Sequence, residues 1–350
     1  MRLAVNLGYL TGGDAAAAAA DALALVRAAE DAGCDSAWVA EAYGSDAVSV
    51  LGWLAAQTSR IALGSAVLQV PARAPAATAM AAATLDALSG GRFRLGLGVS
   101  GPQVSEGWYG QRFAAPLART REHVAVVREV LARRPVRFAG EHVHLPLPDG
   151  PGVPLRLMLP APRPDLPVYL AAVGPRNVEL AGEVADGWLP VFLAPESCAD
   201  QFAHLAAGRA RRAGQPPAGE FDVCASVPLL VTDATGEDRR RAEAPVRRHV
   251  ALYLGGMGSR SQNFYASLAR RLGFSDAVDE VQEHFLAGRH REAAAAVPAG
   301  FLEATCLVGP VASLRARLDD YARAGVTTCA LVPQAPALAD RVAAVRALAG

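Results

Sequence analysis

The segment WVAEAYGSD gathers three side chains that can accept a hydrogen bond or move a proton: Glu41, Tyr43 and Asp46. A carboxylate on such a loop can bind a ligand's donor groups, and desolvation raises its proton affinity enough for acid or base work. Asp46 has a simpler reading, because Ser45 and Asp46 precede an apolar helical run and suit a helix cap. Glu41 and Tyr43 are therefore the candidates for catalysis.

Three turns built from small residues carry a different kind of chemistry. GSAVLQVPARAP brings Ser65, Ala66 and Val67 together after Gly64; small side chains let a planar ligand approach the backbone, and they equally suit tight packing. LGLGVSGPQVSEGWYG alternates Gly96 and Gly98, which would keep one face open, then turns through Val99, Ser100 and Gly101. Trp108 and Tyr109 either wall an aromatic ligand or anchor this loop. In YLAAVGPRNVEL the turn Ala172, Val173, Gly174 runs straight into a helix with Pro175 in its first turn. The N–H groups of Gly174, Arg176 and Asn177, with the Arg176 guanidinium, read as a phosphate-type anion site; an ordinary Gly-Pro helix start is the alternative.

All of these segments lie at the ends of short apolar runs. Strands are expected over 3–8, 36–41, 60–68, 92–100, 167–173, 187–193, 221–231 and 327–333. Helical patterns over about 16–32, 47–58, 76–88, 176–184, 197–213, 311–324 and 336–348 alternate with them. That order fits a (β/α)8 TIM barrel spanning 1–350 as a single domain, where chemistry gathers at the C-terminal ends of the strands. Two stretches are too long for simple connections. The Pro-rich 134–166 reads as an excursion with a hairpin at EHVHLP, and 235–305 reads as an inserted helical cap with GGMGSRSQNFY near its middle.

Composition removes several alternatives. The 350 residues include 34 basic and 34 acidic side chains, and no lysine occurs, so every basic one is arginine. Schiff-base aldolases, pyridoxal-phosphate enzymes and P-loop hydrolases need that lysine amine. Zero formal net charge gives no general pull toward nucleic acid or an anionic membrane. Cys34, Cys198, Cys224, Cys306 and Cys329 are far apart and read as reduced core thiols of a cytoplasmic protein, with the start MRLAVNLGYL lacking a signal peptide's basic region. The histidines show no ligand spacing, so no metal is expected.

Taken in order, DSAWVAEAYGSDAVS, RIALGSAVLQVPARAP, GRFRLGLGVSGPQVSEGWYG, PLARTREHV, YLAAVGPRNVELAGEVADGWLP, YLGGMGSRSQNFY and a late LVGP resemble the luciferase-like monooxygenase superfamily. The resemblance is to its deazaflavin branch, which uses coenzyme F420 and includes methylenetetrahydromethanopterin reductase. It implies a ring lying across the barrel mouth, supported at Ser65, Ala66 and Val67 by a non-prolyl cis peptide between Ala66 and Val67. By similarity, Glu41 and Tyr43 lie near cofactor or substrate, Val99, Ser100 and Gly101 border the ring and ribityl chain, Gly174, Arg176 and Asn177 take the phosphate, and Ala172 and Val173 belong to the cofactor-binding turn before them. Members that oxidise sugar phosphates carry a histidine and a glutamate where this chain has Ala42 and Gly101. The implied activity is hydride transfer between F420 and a small organic substrate, in a homodimer. A flavin mononucleotide (FMN) monooxygenase and a non-catalytic ligand-binding barrel are the alternatives.

Overall fold

The structure is a computed structural model that describes residues 1–10, 14–160, 162–212 and 220–350. Its strands are β1 (Arg2–Asn6), β2 (Ser36–Val39), β3 (Ala62–Ser65), β4 (Leu68–Gln69), β5 (Phe93–Gly98), β6 (Phe138–Ala139), β7 (His144–Leu145), β8 (Val168–Ala171), β9 (Gly187–Trp188), β10 (Asp222–Val231), β11 (Leu307–Gly309) and β12 (Thr328–Pro333). Parallel pairing runs β1, β2, β3, β5, β8, β9, β10, β12 and returns to β1, an eight-stranded closed barrel. Closure removes free edges from the ring. β11 pairs outside the ring, against β10, and β6 and β7 form a separate antiparallel hairpin in the 134–166 excursion.

Burial on both faces explains the near-continuous apolar strands. All four residues of β2 are buried, as are eight of the ten in β10. Outward-facing residues pack under the helices, while Ala4, Trp38, Tyr169, Leu189, Cys224 and Ala330 fill the interior. Trp38 and Tyr169 meet edge-on with centroids 5.1 Å apart. Each needs a glycine opposite: a Cβ on Gly64 would lie 2.3 Å from Trp38, and one on Gly187 would lie 2.3 Å from Tyr169. The lower barrel is thus solid, and open space begins above it.

Boundaries differ from the sequence expectation where the backbone changes direction. The expected strand 60–68 is split into β3 and β4 by the Ala66–Val67 peptide, which is cis. Only Gly187–Trp188 of 187–193 is strand, continued by a single bridge from Val191 to Ser226. Gly96 does not keep space open, because the carbonyl of Ser65 and the Leu189 side chain already occupy it. The helix expected over 197–213 is Ala199–Ala210, and residue 213 lies outside the described residues. From 235 to 305 the chain forms a run of helices, Gly236–Ala242 to Ala299–Thr305, with a π-helical turn at Leu252–Gly256. They share their own core with Phe192, built from Val246, Val250, Val278, Val281 and Phe301.

One buried base couples this fold to pH. His123, on the helix Pro116–Leu131, is 3% exposed and its Nε2 lies 3.0 Å from Thr78 Oγ1. Burial pulls its pKa down to about 4. Because the unfolded side chain titrates near about 6.5, the unfolded state binds more protons between those values. Stability is then full above about pH 6.5 and is lost as pH falls toward 4, on the order of 3 kcal/mol. His123→Gln should flatten that part of a denaturant-stability profile; an unchanged slope would remove His123 as its source.

Candidate active site

A cavity of about 680 Å³ opens at the C-terminal end of the barrel. Its walls come from strand exits on one side and from the inserted helices on the other. Of the residues the sequence singled out, Glu41, Tyr43, Ala66, Val67, Val99, Ser100, Gly101, Val173, Gly174, Arg176 and Asn177 all line it. Ser65 and Ala172 do not. Ser65 Oγ instead exchanges two hydrogen bonds with the Gly96 backbone, donating to its carbonyl at 2.8 Å and accepting its N–H at 2.9 Å. Ala172 is buried and its carbonyl accepts from Trp188 Nε1 at 2.9 Å. Both residues therefore brace the lining from behind.

Glu41 is the buried acid of the mouth, and its carboxylate already accepts three hydrogen bonds. Arg73 donates to its two oxygens at 2.5 and 3.0 Å, and the Ala47 N–H adds a bond of 3.1 Å. The same guanidinium reaches Asp46 at 2.7 Å. Burial works against the Arg73 charge, but Glu41 and Asp46 outweigh it and raise its pKa. Asp46 also caps the helix Ala47–Gln57 through the Ser49 N–H at 2.7 Å. Such a clamp fits Glu41 for accepting hydrogen bonds at a fixed position better than for delivering a proton. Tyr43 stands at the rim, 57% exposed and 6.5 Å from the Trp108 ring, while the Tyr109 hydroxyl ties the loop to the Ala42 carbonyl at 3.0 Å.

The anion-type turn has the expected helix, Pro175–Val184, with Gly174 as its cap. The Asn177 N–H is not free, since it donates to the Gly174 carbonyl at 3.0 Å. That leaves the N–H groups of Gly174 and Arg176, and a cap whose missing Cβ would meet nothing within 4 Å. Around the cavity, Ser100 Oγ, Asn177 Oδ1 and Gln69 Oε1 are buried with no partner among the described residues. Buried polar atoms are ordinarily paired, so three on one wall point to a polar ligand.

Several lining residues escaped the sequence reading. Asn6, hydrogen-bonded to Ser226 at 3.0 Å, comes from strand ends and has no local signature. The opposite wall is His249, Tyr253 and Tyr265 from the insertion, with Tyr253 on the π-helical turn. Tyr253 and Tyr265 stack edge-on at 4.8 Å, and His249 lies 5.0 Å from Tyr253. Desolvation pulls the His249 pKa down to about 4 and pushes both phenols up, so this wall is uncharged at neutral pH. GGMGSRSQNFY, which holds Met257 and Tyr265, was the available signal.

Comparison with known proteins agrees with this geometry. The chain is 45% identical over 332 residues, 93% of each sequence, to a Mycobacterium tuberculosis protein whose name assigns it provisionally as a coenzyme F420-dependent oxidoreductase. It is 33% identical over 229 residues, 65% of each, to 5,10-methylenetetrahydromethanopterin reductase of Methanolobus tindarius. The coenzyme F420-dependent tetrahydromethanopterin reductase of Methanopyrus kandleri has the same fold, with a TM-score of 0.80 at 23% identity over 99% of this chain and 97% of that one. The family model for luciferase-like monooxygenases matches residues 1–328, and the chain belongs to that family.

Proposed function

We propose that this protein is a coenzyme F420-dependent oxidoreductase that transfers hydride between the deazaflavin and a small organic molecule. The observation that carries this reading is the cavity itself. Its lining is mainly apolar, yet Ser100, Asn177 and Gln69 present unpaired buried polar atoms to it, and a bare helix N-terminus lies at one end. A planar ring with a polar edge and an anionic side chain meets each of those features.

When bound, the deazaflavin supplies a carbon centre that takes up or releases hydride. The chain's own work is to bind, orient and exclude water. Ala66, Val67 and Val99 give the ring an apolar bed, and Ser100 and Gly101 line its edge. Gly174 and Arg176 N–H groups, with the Arg176 guanidinium, hold the phosphate beside Val173 and Asn177. Glu41, fixed by Arg73, accepts a hydrogen bond from the ligand, and Tyr43 closes the rim over the substrate. The second wall, Tyr253, Tyr265 and His249, would close the cavity over the bound ring and keep water from it. One domain with two excursions suffices for all of this. A homodimer and a cytoplasmic setting complete the reading, the latter supported by five buried, unpaired cysteines.

Side-by-side fluorescence titration with F420 and FMN tests the assignment. Tighter F420 binding is expected; equal or reversed affinity moves the protein to the flavin-using branch. Arg176→Ala should weaken F420 binding by up to about tenfold, since exposed charged contacts contribute roughly 1 kcal/mol. Gly174→Val fills space that is open in the protein and should weaken it more than Arg176→Ala does, with the fold intact. Unchanged affinity in both variants would place the phosphate elsewhere.

A further inference from the structure

We propose that a second cavity beside the main one is a subsite for a carboxylate or phosphate group attached to the ligand of the main cavity. It has a volume of about 310 Å³ and shares Val99 and Pro116 with the larger cavity. The charged side chains lining it are Arg73, Arg112 and Arg119, and no Asp or Glu is among the lining residues. Arg73 is committed to Glu41 and Asp46. Arg112 and Arg119 have no carboxylate partner among the described residues; Arg119 Nε donates only to the Ala114 carbonyl, at 3.1 Å. The acid next along the chain, Glu106, is turned to the Phe113 N–H at 3.0 Å.

Three of the neutral side chains of the pocket are already satisfied, and the Gln111 amide is left to add a donor. Ser105 donates to the Gln111 carbonyl at 2.8 Å, Thr120 to the Pro116 carbonyl at 2.8 Å, and His123 pairs with Thr78. What a charged ligand meets besides is positive charge from two planar guanidinium groups, together with the positive end of the 16-residue helix Pro116–Leu131. Guanidinium pairs recognise carboxylate and phosphate through parallel N–H donors. Because Val99 and Pro116 line both cavities, the two lie side by side, and the anion is assigned to a molecule that also occupies the larger one. Its source is either an anionic group of the cofactor other than the phosphate held at Gly174 and Arg176, or an acidic second substrate; the first of these rests on the F420 assignment.

The test uses the double variant Arg112→Gln/Arg119→Gln and the charge-preserving Arg112→Lys/Arg119→Lys. Calorimetry with citrate on the cofactor-free protein comes first. Citrate should bind wild type, lose about tenfold or more in the Gln variant, and recover in part with Lys. F420 titration at low and high salt then identifies the source. A roughly tenfold loss confined to low salt assigns the pocket to the cofactor's side chain. Unchanged F420 affinity, with citrate binding to the F420-loaded protein lost only in the Gln variant, assigns it to the substrate. Equal citrate and F420 binding in wild type and Gln variant overturns the subsite. Failure of wild type to bind F420 overturns the cofactor assignment, while the citrate comparison still decides the subsite.

Discussion

Gly96→Ala is expected to leave the chain without a stable barrel. The new Cβ would lie 1.9 Å from the Ser65 carbonyl oxygen and 2.9 Å from Leu189 Cδ1, so the main obstacle is backbone and cannot rotate away. Relief requires β3 and β5 to part, which also breaks the two Ser65–Gly96 hydrogen bonds at 2.8 and 2.9 Å. Overpacking of this kind costs about 1–3 kcal/mol, and each lost buried hydrogen bond adds about 1 kcal/mol. The sum approaches the whole stability of a weakly stable domain, about 5 kcal/mol. Soluble yield and the denaturant midpoint are the measurements. Gly101→Ala is the control, since its Cβ would meet only Gln103 Oε1 at 3.8 Å; if the two variants behave alike, the packing argument at Gly96 fails.

Arg73→Met should be the most damaging change at the mouth itself. It strands Glu41, whose side chain is 5% exposed, and releases Asp46 at the same time. Removing one partner of a buried ion pair costs about 3–5 kcal/mol, much of it from the charge left behind. Glu41→Gln alone should be milder, because Arg73 keeps Asp46. The double variant Glu41→Gln/Arg73→Met should therefore be more stable than Arg73→Met, a coupling that a double-mutant cycle in denaturant reads directly. An Arg73→Met protein as stable as wild type would mean that the clamp has no energetic weight.

The barrel was legible because its rule is local: an apolar run, a turn of small or charged residues, then an amphipathic helix, repeated. The same rule put Glu41, Val99 and Gly174 at strand exits, and the cavity is there. What could not be read depended on distance. Arg73 stood in plain view within PARAP, but its partners lie 27 and 32 residues away. The turn Ser65–Val67 reads equally as ligand support and as tight packing, and only the fold shows that the Ser65 hydroxyl turns to β5. The length of 235–305 indicates an inserted cap, but nothing in its periodicity tells which side chains face the mouth, since that docking is fixed by Phe192, Val246 and Phe301 meeting across the fold.

That docking has a consequence for how such proteins diversify. The bed of the cavity, Ala66 to Gly174, is held by strands whose order cannot change without losing the ring. His249, Tyr253 and Tyr265 belong to a segment that meets the barrel through side chains, Phe192 above all, rather than through the strand ladder. Substitutions there change the wall that faces the strand exits while the order of the barrel strands stays as it is. Transplanting 235–305 from a relative is accordingly a route to a new substrate preference on an unaltered catalytic base.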